Sequence, residues 1–126
     1  MSTNKFSFGK RARSFKYAFD GITYFIRQEH NAWIHCFVLA CVVVAGILLG
    51  ISRMEWIVIA IVCGNVLAAE AVNTALEKLC DHVCPQEHPT IKRIKDMAAG
   101  AVLILTVVAV IVGLIVFLPR IVALFC

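Results

Sequence analysis

Two stretches of this chain are long and apolar enough to decide what it can fold into. Trp33 to Ile51 (WIHCFVLACVVVAGILLGI) is interrupted only by His35, and Ala98 to Leu118 has Thr106 as its one polar side chain. As helices they measure roughly 28 and 31 Å, the thickness of a bilayer's hydrocarbon core. A third run, Trp56 to Ala69, is shorter and spans only if the polar stretch beside it is helical too. The chain is 61% hydrophobic, against ~45–50% for an ordinary soluble domain. An all-α membrane protein follows, one domain over residues 1–126, with transmembrane helices over about 33–51, 55–81 and 97–118.

Charge sets the expected orientation. Lys5, Lys10, Arg11, Arg13, Lys16 and Arg27 precede the first span, and Lys78, Lys92, Arg93 and Lys95 lie between the second and third. The turn from Ser52 to Glu55 carries one Arg and one Glu. The positive-inside rule then places the N-terminus and the 78–96 segment in the cytoplasm. No secretory signal is expected, because the first long apolar run begins after a polar-rich stretch. Before that run, Phe8, Ala12, Phe15, Phe19, Ile22 and Ile26 recur at i, i+4, i+7, i+11, i+14 and i+18. This stripe predicts a helix over about 6–28, lying in the membrane interface or packed on the spans. The prolines of Cys84-Pro85 and His88-Pro89 should end the second span. The six cysteines read as reduced thiols acting as small hydrophobes. Cys80, His82, Cys84 and His88 lack the spacing of a zinc site. His30 and His35 read as polar anchors at the interface, and Trp33 and Trp56 as an aromatic belt.

The chemistry is concentrated in AAEAVNTALEKLCD, residues 68–81. Glu70, Asn73, Thr74, Glu77 and Asp81 fall at i, i+3, i+4, i+7 and i+11, one arc about 100° wide on a helix. Val66, Leu67, Ala69 and Leu76 are expected mainly outside it. A carboxylate within a span costs roughly 2.5–3.5 kcal/mol, so it should face protein or water and marks a functional site. Hydrogen-bonding glue between helices needs no such density of negative charge. A hard divalent cation does: Mg²⁺ takes one or two carboxylates together with substrate phosphates. Glu70 and Glu77 lie two turns apart, about 10.5 Å along the axis. Glu77 near water and Glu70 deeper fit a phosphoryl group passed from a soluble donor to a lipid hydroxyl, with Glu70 taking the hydroxyl proton. The nearby cations Lys10, Arg11, Arg93 and Lys95 suit phosphate oxygens. No G-x-x-x-x-G-K-[ST] occurs, which excludes an ordinary P-loop.

With those residues in view, Glu70-x-x-Asn73-Thr74-Ala75-Leu76-Glu77-x-x-x-Asp81, followed by Lys95-Asp96-Met97-Ala98-Ala99-Gly100-Ala101-Val102-Leu103, resembles the signature of the small prokaryotic diacylglycerol kinases and undecaprenol kinases. The likeness extends to Ser14-Phe15-Lys16-Tyr17-Ala18 and Glu29-x-Asn31, nearly the whole chain. It implies a homotrimer of three-span subunits with a surface helix, in the bacterial inner membrane, using MgATP and a lipid alcohol, with no nucleic-acid partner. Carried over, it makes Glu70 the general base, Glu29 and Glu77 the metal ligands, and Asn73, Lys95 and Asp96 the rest of the phosphate and metal environment. Tyr17, Glu87 and His88 would lie near the nucleotide, with Lys10, Glu70 and Ala99 near the lipid. Where some members carry an Arg in the surface helix this chain has Lys10, flanked by Arg11 and Arg13, and Lys lacks the bidentate fork. The Glu29-x-Asn31-x-x-x-His35 and Gly113–Pro119 stretches lean toward the undecaprenol-type branch. The competing expectation is a non-enzymatic proton- or ion-relay membrane subunit working through Glu70.

Overall fold

The computed structural model describes residues 5–126 and is built of four helices: α1 (Phe8–Gln28), α2 (His30–Leu49), α3 (Arg53–Val83) and α4 (Pro89–Phe125). Among the described residues every regular element is helical. α2, α3 and α4 are each long and apolar enough to cross a membrane. Residues 1–4 of the expected single domain lie outside the described residues.

Local chemistry explains each boundary. Ser7 caps α1, its Oγ accepting from the Lys10 amide at 3.3 Å. Gly50 ends α2 in the left-handed conformation, with φ of 63°, where a side chain would be strained. Ser52 and Glu55 then form a reciprocal capping box that starts α3. α3 ends at Val83, just before Cys84-Pro85, as the prolines require.

Three boundaries differ from expectation. α2 starts at His30 rather than Trp33. α4 starts at Pro89 rather than Met97, so Thr90 to Asp96 is part of the helix and not a lead into it. His88 supplies the cap, its Nδ1 accepting from the Thr90 amide at 3.1 Å, and Pro89 occupies a first-turn position where a missing N–H is harmless. At its far end α4 continues through Pro119 to Phe125 instead of stopping near Leu118. One lost backbone bond near a helix end is tolerated in an apolar helix with neighbours to lean on. Arg120 is one such tie: its guanidinium pairs with Glu55 and reaches the Gly50 carbonyl at 3.4 Å.

Packing is thin, with α3 against α4 as the most extensive contact. The buried residues of α3 (Ile59, Val66, Glu70, Asn73 and Cys80) recur at steps of seven, four, three and seven, a single seam. Val66 thus shares the face of Glu70 and Asn73, contrary to the expectation that it lies off the arc. A step of four is slightly more than one full helical turn, which returns Val66 to nearly the same side as Glu70. Ile51, Ile59 and Val116 form the core cluster at the α2–α3 turn, with Trp56 and Phe117 against it. Trp56 is therefore a packing residue, laid over the backbone of Gly46. On α1 the residue that turns inward is Phe25, while Phe8, Phe15, Phe19 and Ile22 of the predicted stripe are exposed.

Candidate active site

α3 has 31 residues, about 46 Å of helix, and so exceeds a bilayer core of ~30 Å. Measured from Arg53, Glu70 lies about 26 Å along the axis and Glu77 about 36 Å. The first is near the limit of an apolar core and the second is beyond it. Burial follows the same order: Glu70 and Asn73 are buried, Thr74 is half-buried, and Glu77 and Asp81 are exposed.

Glu70 does not sit alone. Its Oε1 lies 3.1 Å from Nε2 of His35, brought over from the first turns of α2, and the Glu70 side chain is 10% exposed. Its second oxygen, Oε2, is buried without a partner among the described residues, as is Oδ1 of Asn73. An unpaired buried polar atom costs about 1–3 kcal/mol, so these two atoms carry unmet hydrogen-bonding capacity beside the apolar seam. The sequence suggests His35 as an interfacial anchor; the fold instead puts it on the buried acid. The only hint in the sequence is a lone polar residue near the start of an otherwise apolar run.

One turn toward the α3–α4 loop, Asn73 Nδ2 donates to Glu77 Oε1 at 3.2 Å. Glu29, at the N-cap of α2, makes no side-chain cap bond and is free to face Lys78, the neighbour of Glu77, at 3.2 Å. Glu29, Glu77 and Asn73 each carry the oxygen donors a hard cation prefers, but among the described residues the contacts join Asn73 to Glu77 and Glu29 to Lys78, not Glu29 to the other two. Lys78 shows that positive charge is accepted beside Glu29. Among the described residues no three His, Cys, Asp or Glu side chains gather into a metal-binding group.

A second patch forms at the α3–α4 loop. Glu87, His88, Lys95 and Asp96 line a surface groove of about 640 Å³ together with Asp81 and Lys92. Lys95, at the loop end of α4 and outside its apolar stretch, is paired with Asp81, which raises the Lys95 pKa above its ordinary value. Lys92 pairs with Asp96 at 2.6 Å. Asp81, at the exposed end of the polar arc, is thus an ion-pair partner, and His88 is engaged as a helix cap. Tyr17 lines a third space, a groove of about 770 Å³ between α1 and α3 that also contains Thr74 and Lys78. Lys10 and Ala99 are exposed and lie in none of these groups.

Three apolar helices enclosing a partly unsatisfied acid–amide pair define a membrane protein with a polar site at the edge of its apolar region. The profile of the prokaryotic diacylglycerol kinase family matches residues 16–117. The chain is 37% identical over 108 residues to an undecaprenol kinase of Bacillus subtilis, covering 86% of this chain and 88% of that one. It is 38% identical over 112 residues to a diacylglycerol kinase of Synechocystis, covering 88% of this chain and 64% of that one. A diacylglycerol kinase of Helicobacter pylori is 30% identical over 102 residues, 75% of this chain and 79% of its own. No solved structure is a significant match. The chain belongs to the prokaryotic diacylglycerol kinase family and is a membrane lipid kinase. The relay-subunit reading finds no support in these likenesses.

Proposed function

We propose that this protein transfers the γ-phosphoryl group of MgATP to the primary hydroxyl of a membrane lipid, undecaprenol or diacylglycerol, with Glu70 as general base. The observation that carries this reading is the buried, unpartnered Oε2 of Glu70 at the inner limit of the apolar helix. As the lipid oxygen bonds to the γ-phosphorus, its O–H proton passes to Oε2. The bond from phosphorus to the bridging oxygen breaks, and ADP leaves. Glu29 and Glu77 would hold the metal, with Asn73 orienting Glu77 through its amide. Bound Mg²⁺ would neutralise phosphate charge. Lys95, Asp96, Glu87 and His88 border the nucleotide at the loop groove, with Tyr17 and Lys10 supplied by α1 and Ala99 against the lipid.

The active unit we infer is a homotrimer in the bacterial inner membrane, each chain a single domain with a cytoplasmic N-terminus. The sparse burial of a lone chain and the small residues Ala98, Ala99, Gly100 and Ala101 support close helix approach between copies. The exposed phenylalanine stripe of α1, with Lys10, Arg13 and Lys16 largely off it, supports a helix lying in the interface.

The test is phosphoryl transfer by purified protein in mixed micelles with ATP, Mg²⁺ and each lipid alcohol in turn. Lipid phosphate should form, faster from undecaprenol than from diacylglycerol. Absence of lipid phosphate from both removes the proposal. Glu77→Gln should raise the Mg²⁺ concentration for half-maximal rate by about tenfold, through loss of a ligand charge. An unchanged metal titration takes Glu77 out of the metal site.

A further inference from the structure

We propose that His35 is a positioning residue for the transfer, holding Oε1 of Glu70 so that Oε2 alone is presented to the lipid hydroxyl. This rests on Glu70 being the base. A glutamate working as a base must be ionised, and an ionised carboxylate can only accept hydrogen bonds. The 3.1 Å contact therefore has the imidazole Nε2–H donating to Oε1. Glutamate has three side-chain torsions, and a free one on an apolar helix samples several orientations. A single bond from a neighbouring helix selects one of them.

Among the described residues His35 is the one side chain hydrogen-bonded to Glu70. The nearest partner of Asn73 is Glu77, one turn away, so the amide is engaged elsewhere. On its other side His35 borders an apolar space of about 240 Å³ lined by residues such as Val38, Leu39, Val62, Cys63 and Thr106. In apolar surroundings a hydrogen bond is electrostatically stronger than in water. The two carboxylate oxygens are thereby divided: one is bound to imidazole, and the other is buried and unpaired. That division is what a directed proton transfer requires.

The experiment measures kcat and KM for MgATP and for the lipid alcohol in His35→Leu, His35→Gln, Glu70→Gln and the His35→Leu/Glu70→Gln double variant. His35→Leu should lower kcat roughly 10–100-fold, the size expected for loss of a hydrogen bond to a charged group, with KM for MgATP unchanged within about twofold. His35→Gln, whose amide reaches the same position as Nε2–H, should recover most of that loss. In the Glu70→Gln background His35→Leu should have no further effect, because a residue acting through another shows full coupling in such a cycle. Wild-type kcat in His35→Leu, failure of Gln to improve on Leu, or an undiminished further loss in the double variant would each overturn the proposal. Wild-type turnover in Glu70→Gln would fell the underlying assignment of the base, and the His35 proposal with it.

Discussion

Glu70→Gln is expected to lower kcat by about 10²–10⁴, the contribution of a positioned general base, while leaving nucleotide affinity and helix content intact. The amide is nearly isosteric with the carboxylate, so packing against Val66 and the seam with α4 should persist. His35 can still donate to the remaining carbonyl oxygen, and the side chain can still accept a hydrogen bond from the lipid hydroxyl. What it loses is the capacity to take a proton. The neutral side chain should even be easier to bury, since a charge in a span carries a penalty that reaches roughly 2.5–3.5 kcal/mol at the bilayer centre. A variant more stable to heat yet far slower in turnover is therefore the combined expectation. Thermal unfolding followed by circular dichroism, set beside the rate of lipid phosphate formation, reads both quantities from one preparation. Near-normal turnover would remove Glu70 from the chemistry.

The second large effect concerns stability. A Cβ placed on Gly46 would come within 2.6 and 2.8 Å of ring carbons of Trp56 and 3.1 Å of Ile51 Cδ1. Two opposing magnitudes decide the outcome. Replacing a helix-interior glycine by alanine gains about 1 kcal/mol from backbone entropy and exposure. Forcing an extra carbon into a well-packed contact costs roughly 1–3 kcal/mol, because side chains leave their rotamers and backbones shift. Here the obstacle is a rigid indole rather than the end of a flexible chain, so the second term should win. Gly46→Ala should lower the unfolding temperature, and Gly46→Val should lower it further. Adding Trp56→Leu should restore part of the loss by removing the ring. If Gly46→Ala were as stable as the parent, the close approach of α2 to α3 at this turn would be wrong.

Apolar run length and proline placement make the helices legible in the sequence, because each depends on near neighbours. The two long apolar runs, the capping box at Ser52 and the end of α3 before Pro85 are all local. Pro89 shows how a local signal can be misread. The dipeptide His88-Pro89 marks the close of one helix to a reader looking backward, yet the same proline, at the first turn with His88 as cap, opens the next. The polar stripe on α3 is visible from spacing, although spacing alone misplaces Val66 off the stripe. What spacing does not carry is contact between distant segments. His35 and Glu70 are 35 positions apart and Asp81 and Lys95 are 14 apart, and nothing in either neighbourhood names its partner. Trp56 resembles a membrane-interface tryptophan because it opens a span. Only the proximity of Gly46 shows that its ring fills space left by a missing side chain.

The most direct measurement is an experimental structure of the protein in a bilayer mimic with a non-hydrolysable ATP analogue, Mg²⁺ and a lipid alcohol. The alcohol oxygen should lie within about 2.6–3.2 Å of Glu70 Oε2, with the terminal phosphate facing it from the Glu77 side and His35 still on Oε1. A Glu70 side chain turned into hydrocarbon, with the nucleotide bound away from α3, would contradict that arrangement.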